Sequence, residues 1–291
     1  MNSIVSYKDR GTYGDSSYRG NCTGNIIKDI IMQFYPNSKP KKFIEIFSGG
    51  GTGKDVAKEL GINNSLHLDL INGWDALVNE IPSGSDLIFS HPPYWDIIKY
   101  QYQRNSYNAN DLSNPISYEE FIKKLNKVNA KIYCSLVRGG RHAILIGDVR
   151  KQGRYYSIIK DMNWYGELES HIIKVQHNCV SDNRVYSGNF IPIKHEHLLI
   201  FKKREIWIVN IKQSTEIRAN ILYSNTATWR DIIQAAIESV NGKATTEQLY
   251  KILKDSKKAK NNNFVREKIR QTLNTNKNFK NLKEPCLKKV M

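Results

Sequence analysis

The sequence predicts an α/β protein with a mixed, mostly parallel sheet and helices on both of its faces, followed by a small, basic, α-helical domain. Short apolar runs that alternate with segments of helical period predict the larger part. The first of these runs passes through a glycine-rich turn into a helix, which is the opening of a βαβ unit. A change to three short helices with excess positive charge predicts the second part, and 291 residues leave room for both.

The predicted domains follow this change in composition. Residues 1–205 form the α/β domain, 206–225 a linker with some strand character, and 226–291 the helical domain. The chain has 44 lysine and arginine residues against 28 aspartate and glutamate, a net charge of +16, and a pI near 9.5. A basic surface of this size indicates a polyanionic partner such as nucleic acid, with a membrane surface as the weaker alternative.

The sequence shows no sign of a membrane or secretory segment. No apolar stretch approaches the roughly 18 residues that span a bilayer, and the first residues lack the apolar centre of a signal peptide. We therefore expect a soluble, cytoplasmic protein. The four cysteines are scattered singly, which predicts free thiols: Cys22, Cys134, Cys179 and Cys286.

Two predicted strands end in residues that suit a ligand. The strand 42–47 enters the turn 48–53, whose glycines allow positive φ and close approach to a bound molecule. The strand 65–70 carries Asp69 near its end, about 20 residues beyond the turn, where a carboxylate can accept from ribose hydroxyls. Asp75 is a further acid near the same edge. A plain tight turn and a solvated or helix-capping acid are the alternatives.

The third predicted strand, 86–90, stops at two prolines in the run Ser90-His91-Pro92-Pro93-Tyr94-Trp95. Neither proline can donate to a ladder, so the strand is followed by a stiff loop at its carboxyl end. Open α/β sheets hold their ligands at that edge. The three strand ends together predict a ligand site, although the run alone also fits a surface turn.

Further along the chain the pattern of elements continues. Apolar spacing predicts helices over 26–34 and 118–136, the second of them ended by Gly139-Gly140, and a strand over 143–148. Residues 149–194 have no clear period, and insertions of this length usually carry function or recognition. We expect base contacts from this segment and from 99–117.

His195 and His197 begin a predicted strand that ends near Phe201. The two imidazoles share one face of the strand and lack the third or fourth ligand that a metal site needs, so we predict no metal.

The last domain reads as three short helices and a basic tail. An apolar stripe from Trp229 to Val240 predicts the first helix, and a capping box over 245–248 begins the second. Residues 226–291 contain fifteen lysine and arginine residues against six acids. This pattern resembles a winged helix-turn-helix, which binds DNA through a groove-reading helix and phosphate contacts. A small helical module with a solvated basic surface is the alternative.

The residues at the strand ends resemble those of the DNA amino-methyltransferases, which transfer a methyl group from S-adenosylmethionine to the exocyclic nitrogen of adenine or cytosine. The run Glu45-Ile46-Phe47-Ser48-Gly49-Gly50-Gly51-Thr52 resembles their acid-x-Phe-x-Gly-x-Gly-Thr motif. His91-Pro92-Pro93-Tyr94 resembles their catalytic motif, Asp, Asn or Ser followed by Pro-Pro-Tyr, and Tyr18-Arg19-Gly20-Asn21-Cys22-Thr23 resembles a cofactor-pocket motif. The resemblance covers about residues 15 to 203 in an order closer to the adenine-type arrangement.

This resemblance implies a Rossmann-like methyltransferase fold, S-adenosyl-L-methionine as the cofactor and double-stranded DNA as the partner. His91 and the carbonyl of Pro92 would accept the hydrogens of the amine, and Tyr94, after Pro93, would stack on a flipped base. Glu45 would face the methionine amine of the cofactor. The other expected cofactor contacts are Asn21, Cys22, Thr23, Phe47, Gly49, Gly51, Thr52, Asp69 and Asp75. The expected nucleic-acid contacts are Trp95, Arg104, Arg154, Arg266, Lys268 and Arg270.

His91 is where the sequence departs from the family motif. Asp and Asn accept through oxygen, whereas a histidine accepts only while neutral. We therefore expect methylation to fail as the pH falls through the ordinary imidazole pKa of about 6.5. The expected product is N6-methyladenine, with N4-methylcytosine as the alternative and RNA as a third substrate. Outside the enzymes, the alternative is a non-catalytic regulator that binds DNA. A cognate restriction endonuclease is a partner that such an enzyme can have.

Overall fold

The computed structural model describes residues 1–177, 189, 191–205, 211–213, 221–223, 227–276, 279–282 and 286–289. The chain forms two compact units, Met1–Ser214 and Thr215–Met291. Most of the predicted linker 206–225 lies outside the described residues, as do Cys179 and the side chain of Cys286. Cys22 and Cys134 are free thiols. Among the helices of the described ranges, none is both long and apolar enough to cross a membrane.

The first unit alternates strands and helices along the chain. Its described strands and α-helices are β1 (Ile4–Ser6), α1 (Gly24–Phe34), β2 (Phe43–Ile46), α2 (Thr52–Glu59), β3 (Ser65–Leu68), β4 (Ser85–Ser90), α3 (Gln101–Arg104), α4 (Tyr118–Ser135), β5 (Leu136–Ile146), β6 (Val149–Lys151), β7 (Arg154–Tyr156), α5 (Ile158–Asp161), β8 (Trp164–Tyr165), β9 (Glu167–Val175), β10 (His195–Lys202) and β11 (Ile211–Lys212).

A seven-stranded sheet with the order β3-β2-β4-β5-β10-β9-β1 forms the centre of this unit. Neighbouring strands are parallel except at β10, which is antiparallel to both β5 and β9. The prediction of a mixed, mostly parallel sheet is confirmed.

Helices bury both faces of the sheet. On one face Phe121 of α4 packs in a cluster with Ile88 of β4. On the other face Ile30 of α1 and Val56 of α2 pack in a cluster with Phe89. Because side chains alternate along a strand, the neighbours Ile88 and Phe89 enter opposite cores. Burial on both faces explains why these strands read as continuous apolar runs.

The order of the strands reverses between β2 and β4. The chain passes from β2 through α2 to β3 on one side, and then returns across the sheet to β4 on the other. The crevice at the carboxyl ends of strands at such a point is where open α/β sheets bind ligands. The backbone N–H of His91 donates to the carbonyl of Ile46 at 3.3 Å, which holds the loop after β4 against the end of β2.

The passage from α4 into β5 differs from the sequence prediction. The sequence predicts that Gly139-Gly140 ends the helix, but the strand already begins at Leu136 and contains both glycines. Gly139 has a φ of 80°, and the register against β4 shifts opposite this region, as at a β-bulge. The glycines therefore bend a strand instead of ending a helix.

Two strands of the sheet are missing from the sequence prediction. The first is β1, which is only three residues long. The second is β9, within the 149–194 stretch, where Leu168 and Ile172 are interspersed with charged and polar residues. The same stretch also forms the antiparallel hairpin β6–β7. Within the described residues, His195 and His197 belong to no group of three or more ligands that could hold a metal ion.

The second unit combines helices with a three-stranded antiparallel sheet of order β12-β14-β13. Leu249 and Ile269 lie at the centre of its core. The predicted capping box is present, since the Thr245 hydroxyl accepts from the N–H of Gln248 and the Gln248 side chain accepts from that of Thr245. Its winged-helix identity stays a prediction. The elements are α6 (Trp229–Ser239), β12 (Lys243–Ala244), α7 (Thr246–Leu253), α8 (Lys257–Lys260), α9 (Val265–Thr275), β13 (Phe279–Leu282) and β14 (Cys286–Lys289).

The packing of α4 can be tested by a single truncation. Phe121 is fully buried, so Phe121→Ala should lower the free energy of unfolding in urea by about 3–5 kcal/mol. Met32, on the outer face of α1 and 59% exposed, provides the control, and Met32→Ala should change it by less than about 0.5 kcal/mol. Equal effects of the two substitutions would contradict the burial of α4.

Candidate functional site

The glycine turn after β2 lies directly beside the acid after β3. The N–H of Gly49 donates to Oδ2 of Asp69 at 3.0 Å, and the N–H of Ile71 donates to Oδ1 at 2.9 Å. Asp69 is 8% exposed, and burial raises the pKa of its carboxyl despite these two donors. Each oxygen keeps a lone pair for a ligand, because a carboxylate can accept about four hydrogen bonds.

The turn itself needs its glycines. Gly49 and Gly51 have φ values of 47° and 86°, and α2 begins directly after Gly51. A Cβ at Gly49 would lie 2.7 Å from the ring of Tyr18, which stacks on Tyr100 at 5.8 Å between centroids. The positive φ of Phe47, 63°, starts the turn. The sequence therefore places a backbone of low bulk against two aromatic rings.

The upstream segment predicted to complete the pocket covers the glycine turn. The amide oxygen of Asn21 accepts from the N–H of Gly50 at 3.1 Å. Cys22 is buried. Thr23 is the N-cap of α1, and its hydroxyl accepts from the N–H of Asn25. Of the two cavities described below, Asn21 and Cys22 line both, whereas Thr23 lines only the outer one and also caps the helix.

Glu45 is buried in the middle of β2. Its Oε1 accepts from the N–H of Gly53 at 3.0 Å, and its Oε2 lies 2.7 Å from Nδ1 of His67. Burial raises the pKa of the Glu45 carboxyl, against the opposing effect of His67. The family resemblance implies that this carboxylate binds the amine of the cofactor. In the structure it also accepts from Gly53 and so stabilises the first turn of α2.

The structure corrects the assignment of Asp75. Its carboxylate accepts from the N–H of Leu77 at 2.9 Å and from the side chain of Asn110 at 2.8 Å. Asp75 therefore orders the loop after β3 and does not line the cavity, although its neighbours Trp74 and Ala76 do.

Two cavities meet at this edge of the sheet. The inner cavity is bounded by the glycine turn, Glu45, Asp69 and apolar side chains such as Trp74 and Leu112. The outer cleft is bounded by the proline loop, residues 91–94, the turn of the β6–β7 hairpin and the ends of β9 and β10. The residues that line both are Gly20, Asn21, Cys22, His91 and Tyr100.

Thr52 marks the inner cavity as a place for a ligand. Its Oγ1 is buried and has no hydrogen-bond partner among the described residues, and the residue lines the cavity. Buried polar groups are nearly always paired in folded proteins. A bound molecule with a donor or acceptor at this point would pair it.

His91 belongs to a chain of hydrogen-bonded side chains that reaches β10 and β9. Its Nε2 lies 2.9 Å from Oη of Tyr94, and the Tyr94 hydroxyl donates to Oε1 of Glu196 at 2.6 Å. Lys174 donates to the other oxygen of Glu196 at 2.6 Å. Lys174 and Glu196 are directly opposed in the β9–β10 ladder.

Burial and the charge of Lys174 shift the pKa values along this chain. Burial lowers the pKa of His91 to about 4, although Glu196 acts in the opposite direction. Burial, followed by Glu196, raises the pKa of Tyr94 well above its usual value. Burial alone would raise the pKa of Glu196, but the charge of Lys174 lowers it overall. The pKa of His91 therefore lies well below the ordinary value of 6.5, and we expect the acceptor to be lost only near pH 4.

Two predicted nucleic-acid contacts are corrected by burial. Trp95 is 8% exposed and packs against Tyr118 and Tyr156, with ring centroids 5.3 and 5.0 Å apart. The Arg104 side chain is 6% exposed, forms an ion pair with Asp111 and lines the inner cavity. Trp95 is a core residue, and Arg104 belongs to the inner cavity.

The other four predicted contacts stay predictions. Arg154 is exposed on the hairpin strand β7, with its guanidinium 5.0 Å from the ring centroid of Tyr156. In the second unit Arg266 is paired with Glu247 and lies over Tyr250. The remaining two, Lys268 and Arg270, also lie on α9. Lys268 contacts Gln271, and Arg270 is exposed.

The sequence prediction misses Lys174 and Glu196. Glu196 lies between two histidines on β10, so its side chain faces away from theirs. In the sequence only the two histidines suggest a function, that of metal ligands, and Glu196 does not stand out. Lys174 comes from a segment with no clear period. Only the pairing of β9 with β10 brings the two together.

No family model matches this chain, and no curated protein matches it. Solved structures match part of it. TTHA0409 of Thermus thermophilus, a presumed DNA modification methylase solved with S-adenosyl-L-methionine, is 20% identical over 60% of this chain and 59% of that one, with a TM-score of 0.30. TrmN of Thermus thermophilus is 16% identical over 64% and 50%, with a TM-score of 0.38.

A presumed class I S-adenosylmethionine-dependent methyltransferase from Listeria monocytogenes is 13% identical over 67% of this chain and 62% of that one, with a TM-score of 0.38. The chain spans less than two thirds of the length of each of these three proteins. Likeness at this level assigns neither an activity nor a substrate, and the fold class rests on the sheet topology given above.

The two acids near β3 should differ in their contribution to ligand binding. Asp69→Asn should weaken binding of S-adenosylmethionine, the cofactor that the resemblance implies, by about 10-fold or more, because a charged acceptor is lost. Asp75→Asn should change it by less than about 3-fold, since that side chain faces a loop. Isothermal titration calorimetry measures both, and an equal loss would contradict the assignment of the inner cavity.

The protonation of His91 can be followed directly. Because its folded-state pKa is about 4, its ring proton signals should hardly move between about pH 7 and about pH 5, where an unperturbed imidazole titrates. Nuclear magnetic resonance of the chain measures this, with the signal assigned by its loss in His91→Asn. A midpoint near 6.5 would contradict the burial of the ring.

Proposed function

We propose that this protein is a DNA methyltransferase that transfers a methyl group from S-adenosyl-L-methionine to the exocyclic amine of a flipped base, with adenine N6 as the preferred target. The observation that carries the proposal is the position of His91 at the junction of the inner cavity and the outer cleft. A methyl donor in the first and a base in the second would meet at this residue.

The residues of the inner cavity fit the cofactor. Asp69 has lone pairs free for ribose hydroxyls, and the glycine turn lets a ligand approach the backbone. Trp74 and Leu112 offer apolar walls for a purine ring, and the unpaired Thr52 hydroxyl offers a polar contact. When bound, S-adenosylmethionine supplies the electrophilic methyl group.

The proline loop supplies acceptors for the amine. An exocyclic amine is a poor nucleophile because its lone pair is delocalised into the ring, and acceptors on its two hydrogens favour the attacking form. His91 is neutral, so one of its nitrogens can accept. The carbonyl of Pro92 accepts no hydrogen bond from any described residue, which leaves it for the second hydrogen. Positioning then carries most of the rate.

The outer cleft has the charge that a nucleic acid requires. Lysine and arginine outnumber aspartate and glutamate among the side chains that line it, and the basic ones are Lys8, Arg10, Arg19, Arg150 and Lys174. The exposed Arg154 extends the same hairpin. The second unit, with its excess of lysine and arginine, would add phosphate contacts of its own.

The alternatives differ in their products. Cytosine N4 is also an exocyclic amine, so the same acceptors would serve it, and only the modified nucleoside distinguishes the two. A non-catalytic regulator would need no acceptor at His91. The position of the His91 ring, which lines both cavities and is ordered by Tyr94, therefore favours an enzyme.

Methyl transfer is the direct test. The protein, incubated with S-adenosyl-[methyl-³H]methionine and genomic DNA, should yield N6-methyladenine after nucleoside analysis. His91→Ala should lower the rate by about 100-fold or more while calorimetry shows unchanged cofactor binding. Methylcytosine would establish the alternative target, and binding of the cofactor without transfer to any DNA or RNA would overturn the proposal.

Phosphate contacts should appear in the salt dependence of DNA binding. Arg154→Ala and Arg270→Ala should each reduce the slope of log affinity against log salt by about one, as for the loss of one phosphate contact. Arg204→Ala, which removes an exposed arginine already paired with Glu167, serves as the control. A slope that is equal in all three variants would exclude these two residues from the DNA interface.

A further inference from the structure

We infer that Glu196 is a positioning residue which, through Tyr94, holds His91 in the tautomer with its proton on Nε2 and its lone pair on Nδ1. In this tautomer Nδ1 is the acceptor for the substrate amine. The last step rests on the proposed function, whereas the tautomer is a property of the protein without substrate.

The inference follows from a count of protons. Tyr94 has one hydroxyl proton and two neighbours, Glu196 at 2.6 Å and His91 at 2.9 Å. The carboxylate of Glu196 has no proton to donate, and it is the stronger acceptor because it is charged. The Tyr94 proton therefore points to Glu196, and Oη can only accept from His91. Nε2 must then carry the ring proton.

Lys174 keeps Glu196 in the state that this count requires. The two side chains are buried, with 12% and 8% of their surfaces exposed, and their N–O distance is 2.6 Å. An isolated buried carboxylate would favour its protonated form. A protonated Glu196 could donate to Tyr94, the Tyr94 proton could then turn to Nε2, and the tautomer would reverse.

The tautomer matters because a neutral imidazole has a single acceptor nitrogen. With the proton on Nε2, Nδ1 presents a lone pair, and no described residue donates to it. With the proton on Nδ1, an N–H would face the N–H of the amine, and the acceptor at this position would be lost. An Asp or Asn at the same position would offer an oxygen acceptor, so no neighbouring group would have to fix a tautomer.

Nitrogen-15 spectra of the full-length chain labelled at histidine test the tautomer. The wild-type signals of His91, identified by their absence in His91→Asn, should show a protonated Nε2 and an unprotonated Nδ1. Glu196→Gln should shift them toward the other tautomer. Tyr94→Phe, which keeps the ring and leaves the Lys174 and Glu196 pair intact, should give a mixture.

Glu169→Gln is the matched control, because Glu169 is a partly buried carboxylate of β9 that pairs with Arg141 instead of the His91 chain. Its spectrum should equal that of the wild type. A wild-type His91 with its proton on Nδ1, or a Glu196→Gln spectrum like that of the wild type, would overturn the inference.

Kinetics separate positioning from a merely structural role. Glu196→Gln should lower kcat for methyl transfer by at least about 10-fold, with the KM for S-adenosylmethionine unchanged. In the His91→Asn variant the acceptor is an amide oxygen, which needs no particular tautomer. Adding Glu196→Gln to that variant should therefore change kcat by less than about 2-fold. Equal losses in both backgrounds would assign Glu196 a structural role. Absence of any transfer would reject the proposed function, and the tautomer spectra alone would then decide the inference.

Discussion

The parallel pairing of β2 with β3 on one side and β4 on the other is the constraint on which the site depends. It brings the glycine turn, Asp69 and His91 to one edge although they are separated along the chain. Two hydrogen bonds donated by backbone N–H groups, from Gly49 to the carboxylate of Asp69 and from His91 to the carbonyl of Ile46, then hold the loops at this edge. Both faces of β2 and β4 are buried, so the core holds these two strands on either side of the edge that carries the site.

In the proposed function, desolvation would let a histidine serve as the acceptor in the proline loop. An exposed imidazole would be partly protonated near neutral pH and would lose its acceptor. Here desolvation opposes the charged form, while the pair of Lys174 and Glu196 is held on β9 and β10 and is hydrogen-bonded to the ring through Tyr94. The sheet that positions the loop therefore also carries the charged groups that are hydrogen-bonded to it through Tyr94.

The sequence predicts those parts of the molecule that depend on local pattern. The apolar runs of β2 and β4, the glycine turn, Asp69 and the proline loop are all visible because each has its own composition. What it misses depends on pairing between distant segments. β9 is half exposed and mixes Leu168 with charged residues, so it has no clear period. Trp95 lies in the core with a positive φ of 52°, which no local pattern predicts.

The central claim is that a methyl donor in the inner cavity reaches His91. It is tested most directly by nuclear Overhauser contacts from the methyl group of bound S-adenosyl-[methyl-¹³C]methionine. The account predicts a contact between that methyl group and the ring protons of His91, absent in His91→Ala. A bound cofactor whose methyl group shows contacts to other residues but none to His91 would contradict it.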